Sequence, residues 1–132
     1  RDTYTGITDE DRALTISELG SAAGSVRRAT TVAGDGAEQS VAADAEGFAE
    51  SFRSPGHVHL LRAAPGLLDD REGHTELGIA LADAAGVEPA VVVCEMMDDE
   101  SGGALSPAAA RAYADRNGFT YVEGSELLAR LG

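Results

Sequence analysis

Lysine is absent from this 132-residue chain, whose ten basic residues are all arginine, and tryptophan is absent too. Against 23 aspartates and glutamates this leaves a formal net charge of −13. Such a charge excludes a nucleic-acid-binding surface, which needs a positive footprint. Acid excess without lysine suits a protein kept soluble in concentrated salt; an Arg- and Ala-biased genome is the competing source of the same composition. Aromatic residues make up only 5%, so packing must rest on Ala, Val and Leu. The single cysteine, Cys94, excludes an intramolecular disulfide and a Cys-rich zinc site. Its place after Val91-Val92-Val93 predicts a buried, inert thiol. No run approaches the ~20 apolar residues of a membrane span, and no secretory leader pattern is visible. The expectation is therefore a soluble, cytoplasmic protein with neither a membrane nor a nucleic-acid partner. A starting methionine is also missing: Arg1 leads into Asp2-Thr3-Tyr4-Thr5-Gly6, which resembles a strand end entering a turn, so the sequence is expected to begin mid-structure.

What is present, 43% hydrophobic residues over this length, predicts one globular domain. Thr8-Asp9-Glu10-Asp11 resembles a capping box and opens a predicted helix over 9–19. Residues 20–47, rich in Gly, Ala, Ser and Asp, read as a long, loosely ordered surface connection with a helical turn near 41–50. Alternation predicts a strand over 57–62, with His57 and His59 on one face. Residues 74–85 carry Leu77, Ala80, Leu81, Ala84 and Ala85 at amphipathic helical spacing, closed by Gly86. Ala90–Cys94 reads as a strand buried on both faces. Ser106-Pro107 is an N-cap with proline at N1 of a helix ending at Asn117-Gly118. A short strand follows over 119–122, and Ser125-Glu126 starts a last helix. This alternation predicts an α/β sheet with at least one parallel crossover.

Three polar clusters punctuate this pattern. Arg71-Glu72-Gly73-His74-Thr75 opens the clearest helix, where free amides and the dipole favour anions, Gly73 permits close approach, and Arg71 and Thr75 add donors for a phosphate. An ordinary solvated helix start is the alternative. Glu95, directly after the valine run, reads as a poorly hydrated carboxylate with a raised pKa and a candidate general base; an ion pair with an arginine is the alternative. His57, behind Pro55-Gly56, carries little weight alone, and Asp98-Asp99-Glu100 reads as a solvated run. With no P-loop or nucleophile elbow, the residues point to a small phosphorylated, metal-chelating ligand, with proton transfer as an additional role for Glu95.

Arg53-Ser54-Pro55-Gly56-His57, Leu61-Arg62-Ala63, Arg71 to Glu76, Cys94 to Asp99 and Thr5 to Arg12 together resemble the 3,4-dihydroxy-2-butanone 4-phosphate synthase family of riboflavin biosynthesis, most closely its archaeal form. The resemblance implies a mixed-sheet α/β sandwich, a homodimer, and conversion of D-ribulose 5-phosphate into formate and L-3,4-dihydroxybutan-2-one 4-phosphate with Mg²⁺ or Mn²⁺. It implies His57 and Glu95 as catalytic residues, Arg71, Glu72, Gly73, His74, Thr75 and Glu95 as substrate contacts, and His74 as a metal ligand. The family's N-terminal acidic loop and its strands have no counterpart here. Residues 1–132 are accordingly expected to be the C-terminal portion of one domain, inactive or nearly so alone. The alternatives are a non-catalytic, phosphosugar-binding or dimerising remnant, and an unrelated phosphosugar isomerase or aldolase-like enzyme.

Overall fold

Thr8 ends the N-terminal turn by accepting the Asp11 N–H through its hydroxyl at 3.1 Å, the capping expected of Thr three residues before an acid. Asp11 turns its own carboxylate back to the Gly6 N–H at 2.8 Å, fastening the preceding turn to the helix start. In this computed structural model, residues 3–33 and 47–131 are described, with side chains described for 3–28 and 47–131. Helix α1 spans Asp9–Ala33. It runs well past the predicted end at residue 19 and replaces the first half of the expected loose connection. Small side chains explain the extension, because they let α1 lie against the chain near residue 90. A β-carbon on Gly20 would stand 3.9 Å from that of Ala90, and one on Gly24, which is buried, would collide with the Glu88 carboxylate. Two ion pairs fasten the same approach: Arg28 to Glu88 at 2.6 Å and Arg27 to Asp83. All four side chains are about half exposed or more, so each pair contributes under about 1 kcal/mol. Of the helical turn expected near 41–50, residues 47–50 are helical, as is 51, and 41–46 lie outside the described residues.

Helix α2 spans His74–Ala84, as its amphipathic spacing predicts. It ends ahead of Gly86, whose φ of +68° supplies the left-handed residue that closes a helix. Helix α3 spans Pro107–Asn117, capped by the Ser106 hydroxyl, which accepts the Ala109 N–H at 3.3 Å, and stopped by Gly118 at φ +69°. Helix α4 spans Gly124–Leu131. There Glu126 reaches back to the Glu123 N–H at 2.9 Å. Helix α2 packs on α4, where a β-carbon on Gly124 would stand 3.2 Å from a Leu77 methyl, and on the turn at Leu67–Asp69. Arg111 clips α3 to the segment after it. It pairs with Glu123 at 2.7 Å and lies 4.4 Å over the Tyr121 ring.

The predicted strands over 57–62, 90–94 and 119–122 do not form ladders among the described residues. The one β pairing there is an isolated antiparallel bridge between Met97 and Ala104, closing a turn in which Gly103 O accepts the Asp98 N–H at 2.8 Å. A strand exists only with a neighbour to take its N–H and C=O groups, and these three segments find none within this set. The order helix, non-helical segment, helix, non-helical segment, helix matches the predicted alternation, but the sheet does not close. Consequently Val92 is 71% and Leu60 65% exposed, and among the described residues the buried apolar side chains are Ala82 and Ala114.

Candidate functional site at the start of helix α2

The segment before α2 is tightly wound. After Pro65, the Gly66 N–H donates to Asp70 Oδ2 at 2.8 Å, and Leu67 takes a φ of +47°, rare for a side chain of its size. The Asp70 and Arg71 N–H groups both donate to Leu67 O, at 3.1 and 2.9 Å. This winding brings Arg71 back over the first turn of α2. Gly73 is the N-cap, extended at φ −86° and ψ 163°, with no side chain to cap the amides.

Glu76, at the third helical position, places a carboxylate beneath this cap. It is fully buried, with 0% of its surface exposed, while its neighbours Arg71, Glu72 and His74 are exposed and Thr75 is half-buried. Its Oε1 accepts the Ala64 N–H at 2.9 Å, tying the chain twelve residues upstream to the helix start. The Arg71 Nη1 lies 3.9 Å from the same oxygen, and Oε2 has no partner. The Ala64 N–H holds the carboxyl below the usual carboxylate range, against the opposing effect of burial; its own N–H, Arg71 and the Gly73 N–H act in the same direction as Ala64. A β-carbon on Gly73 would stand 2.5 Å from Oε2 and 3.2 Å from the Arg71 guanidinium. Glycine is therefore required where the two charged groups meet across the cap.

The structure thus brings Arg71, Gly73, His74 and Thr75 into one open, solvent-facing start of a helix. The first-turn amides of His74 and Thr75 stand there beside a guanidinium, groups of the kind that suit an oxyanion. Sequence reasoning missed Glu76 and Ala64. A Glu three residues after an N-cap position is the signal for the first; nothing local marks the second.

The other expected residues stand apart. His57 is exposed beside the N-terminal turn, its ring 3.8 Å from where a β-carbon on Gly6 would lie. Glu95, expected to be poorly hydrated, is exposed, and so is Cys94, expected to be buried. Both corrections have the cause already met in the fold, since the valine run has no second layer covering it among the described residues. No hydrogen bond or ion pair there joins His57 or Glu95 to residues 71–75. A hollow of about 290 Å³ lies between Gly66 and Leu131, and another of about 500 Å³ beside Met97 and Tyr113; neither is lined by these residues. Among the described residues, no group of three or more His, Cys, Asp or Glu side chains could hold a metal ion.

Residues 1–130 match the family model described as 3,4-dihydroxy-2-butanone 4-phosphate synthase. The curated protein of that name from Methanosarcina acetivorans is 48% identical over 128 residues, covering 97% of this chain and 46% of its own. The one from Archaeoglobus fulgidus is 44% identical over 128 residues, covering 97% and 48%. The crystal structure of 3,4-dihydroxy-2-butanone 4-phosphate synthase from Candida albicans superposes with a TM-score of 0.55 at 36% identity, over 59% of this chain and 40% of that one. The chain spans about half the length of the curated relatives it matches. With the family model covering all but two residues and the fold shared with a solved member, the chain belongs to the 3,4-dihydroxy-2-butanone 4-phosphate synthase family.

Proposed function

We propose that this chain supplies the C-terminal part of an enzyme that converts D-ribulose 5-phosphate into L-3,4-dihydroxybutan-2-one 4-phosphate and formate in riboflavin biosynthesis. The observation that carries the reading is the Arg71-to-Thr75 segment, which belongs to the family's pattern and stands at an open helix N-terminus with a guanidinium over it. In this reading Arg71 and the amides of His74 and Thr75 hold the substrate phosphate over Gly73, with Glu72 beside them. Glu95 takes and returns protons next to the substrate carbonyl, and His57 assists as the second catalytic group. The exposure of Glu95 and the uncovered valine run support a site completed by further protein, either upstream sequence or the second subunit of a homodimer. The catalytic pair would then be brought to the phosphate anchor.

A divalent Mg²⁺ or Mn²⁺ ion belongs to the same proposal, with His74 as one ligand. Such ions prefer several oxygen ligands. Among the described residues no cluster of ligands surrounds the exposed His74 imidazole, so they do not make a complete site. The chemistry assigned to this chain is therefore limited to anion binding and proton transfer. The acidic charge favours no nucleic-acid partner, and no described helix is long and apolar enough to cross a membrane; we place the protein in the cytoplasm.

Formate release from D-ribulose 5-phosphate, with and without added Mg²⁺ or Mn²⁺, tests the reading on this chain and on one extended upstream by native sequence. The extended protein should release formate and lose that activity on Glu95→Gln, while the 132 residues alone should not. An extended, folded protein that consumes the sugar phosphate without releasing formate would refute the assignment in favour of an isomerase.

A further inference from the structure

Glu76 is the most completely buried side chain described, and the proposed chemistry makes no use of it. A carboxylate in that position is costly unless it is tied down. One oxygen is committed to Ala64, while the other lies buried without a partner directly beneath Gly73. Above Gly73 lies the Arg71 guanidinium, 3.9 Å from Oε1 by one nitrogen, with 65% of its side chain still in solvent. Arginine presents donors along several edges of a rigid plane, so an edge turned to Glu76 leaves another free to face solvent. Left unheld, so long a side chain would sample many rotamers and contribute little to a ligand.

We propose that Glu76 is a positioning residue: from beneath the helix cap its carboxylate holds the Arg71 guanidinium across Gly73, so that arginine and helix amides meet a phosphate together. The inference rests on the reading of this helix start as the phosphate anchor. It differs from a purely structural role, in which Glu76 only fastens Ala64 to α2 and the direction of Arg71 is incidental.

A double-mutant cycle on the full chain separates the two, with inorganic phosphate as the probe and its affinity read by titration calorimetry or amide shifts at low salt. Glu76→Gln keeps an oxygen for the Ala64 N–H but removes the charge that draws Arg71. In the parent, Arg71→Ala should weaken phosphate binding by about tenfold, the scale of a charge-assisted bond. In the Glu76→Gln background the same change should cost about threefold or less, because the arginine is no longer held. Ala64 amide exchange should stay slow in both, showing that the fastening survives. If Arg71→Ala has the same effect in both backgrounds, Glu76 is structural only and the inference falls while the anchor stands. If the parent shows no Arg71-dependent phosphate binding, the anchor itself falls and takes the inference with it. Should Glu76→Gln fail to fold, Glu76→Asp serves the same cycle: it keeps the charge but withdraws it by about 1.5 Å, one bond length of side chain. It too must diminish the Arg71 effect, or the proposal is overturned.

Discussion

Gly73, the N-cap of α2, and Gly78, inside it, should respond to the same substitution with opposite signs. An alanine at Gly73 would place its β-carbon 2.5 Å from Glu76 Oε2 and 3.2 Å from the Arg71 guanidinium. The carboxylate cannot yield freely, because it is enclosed and bonded to Ala64 at 2.9 Å. Overpacking of this kind costs about 1–3 kcal/mol, and replacing Gly by Ala at an N-cap adds about 0.5–1 kcal/mol. Gly73→Ala should therefore lose about 1.5–4 kcal/mol of stability, with faster exchange of the Ala64 amide as the carboxylate is pushed aside. Gly78 lies inside the helix, and its added β-carbon would stand 3.0 Å from a methyl of Val91. Val91 is 41% exposed, so it can move aside by the few tenths of an ångström required. The gain in helix propensity, about 0.8–1 kcal/mol, then decides the sign, and Gly78→Ala should stabilise. Thermal melts of the three chains under one set of conditions, with Ala64 exchange followed by NMR, read both effects. A neutral Gly73→Ala with unchanged Ala64 protection would refute the enclosed carboxylate, and a destabilising Gly78→Ala would refute the freedom assigned to Val91.

Ser106→Ala should destabilise by about 0.5–2 kcal/mol through the lost cap on the Ala109 N–H, whereas Ser106→Gly should cost only a few tenths; denaturant melts distinguish the two. Asp98 is held below its ordinary value of 3.8 first by the Ser101 hydroxyl and then by the Glu100 N–H. Its lowered pKa makes the 98–103 turn fully stabilised above about 3.8 and progressively less so as pH falls through the depressed value. Ser101→Ala should move the Asp98 titration upward in an NMR pH series; an unmoved titration would disprove the hydroxyl's role. Cys94, being exposed, should react with a thiol reagent in the folded chain at close to the rate of a free cysteine, and more slowly in an upstream-extended protein whose valine run is covered. Because a net charge of −13 repels itself, raising KCl from about 0.1 to 1 M, which shortens the Debye length from roughly 10 to 3 Å, should raise the melting temperature. A flat response would remove the case for adaptation to salt.

Local signals were the most legible part of this chain. Thr8, Ser106, Gly86 and Gly118 mark helix ends through bonds and dihedrals confined to a few residues, and each acts where its type and spacing place it. The position of Arg71-to-Thr75 at the start of α2 was readable for the same reason, since apolar spacing from Leu77 onward defines the helix that follows. The end of α1 was not readable. Gly20 and Gly24 look like breakers in sequence, yet they are what lets the helix close on Glu88 and Ala90.

By itself the sequence determined the family, the helix starts at Thr8 and Ser106, and the stops at Gly86 and Gly118, because each depends on neighbours a few residues away or on motifs in order. Only the tertiary structure decided that Glu76 is enclosed while Glu95 and Cys94 face solvent. Burial depends on which distant segments arrive to cover a side chain: Ala64 and the wound turn after it reach Glu76, and among the described residues nothing covers the valine run.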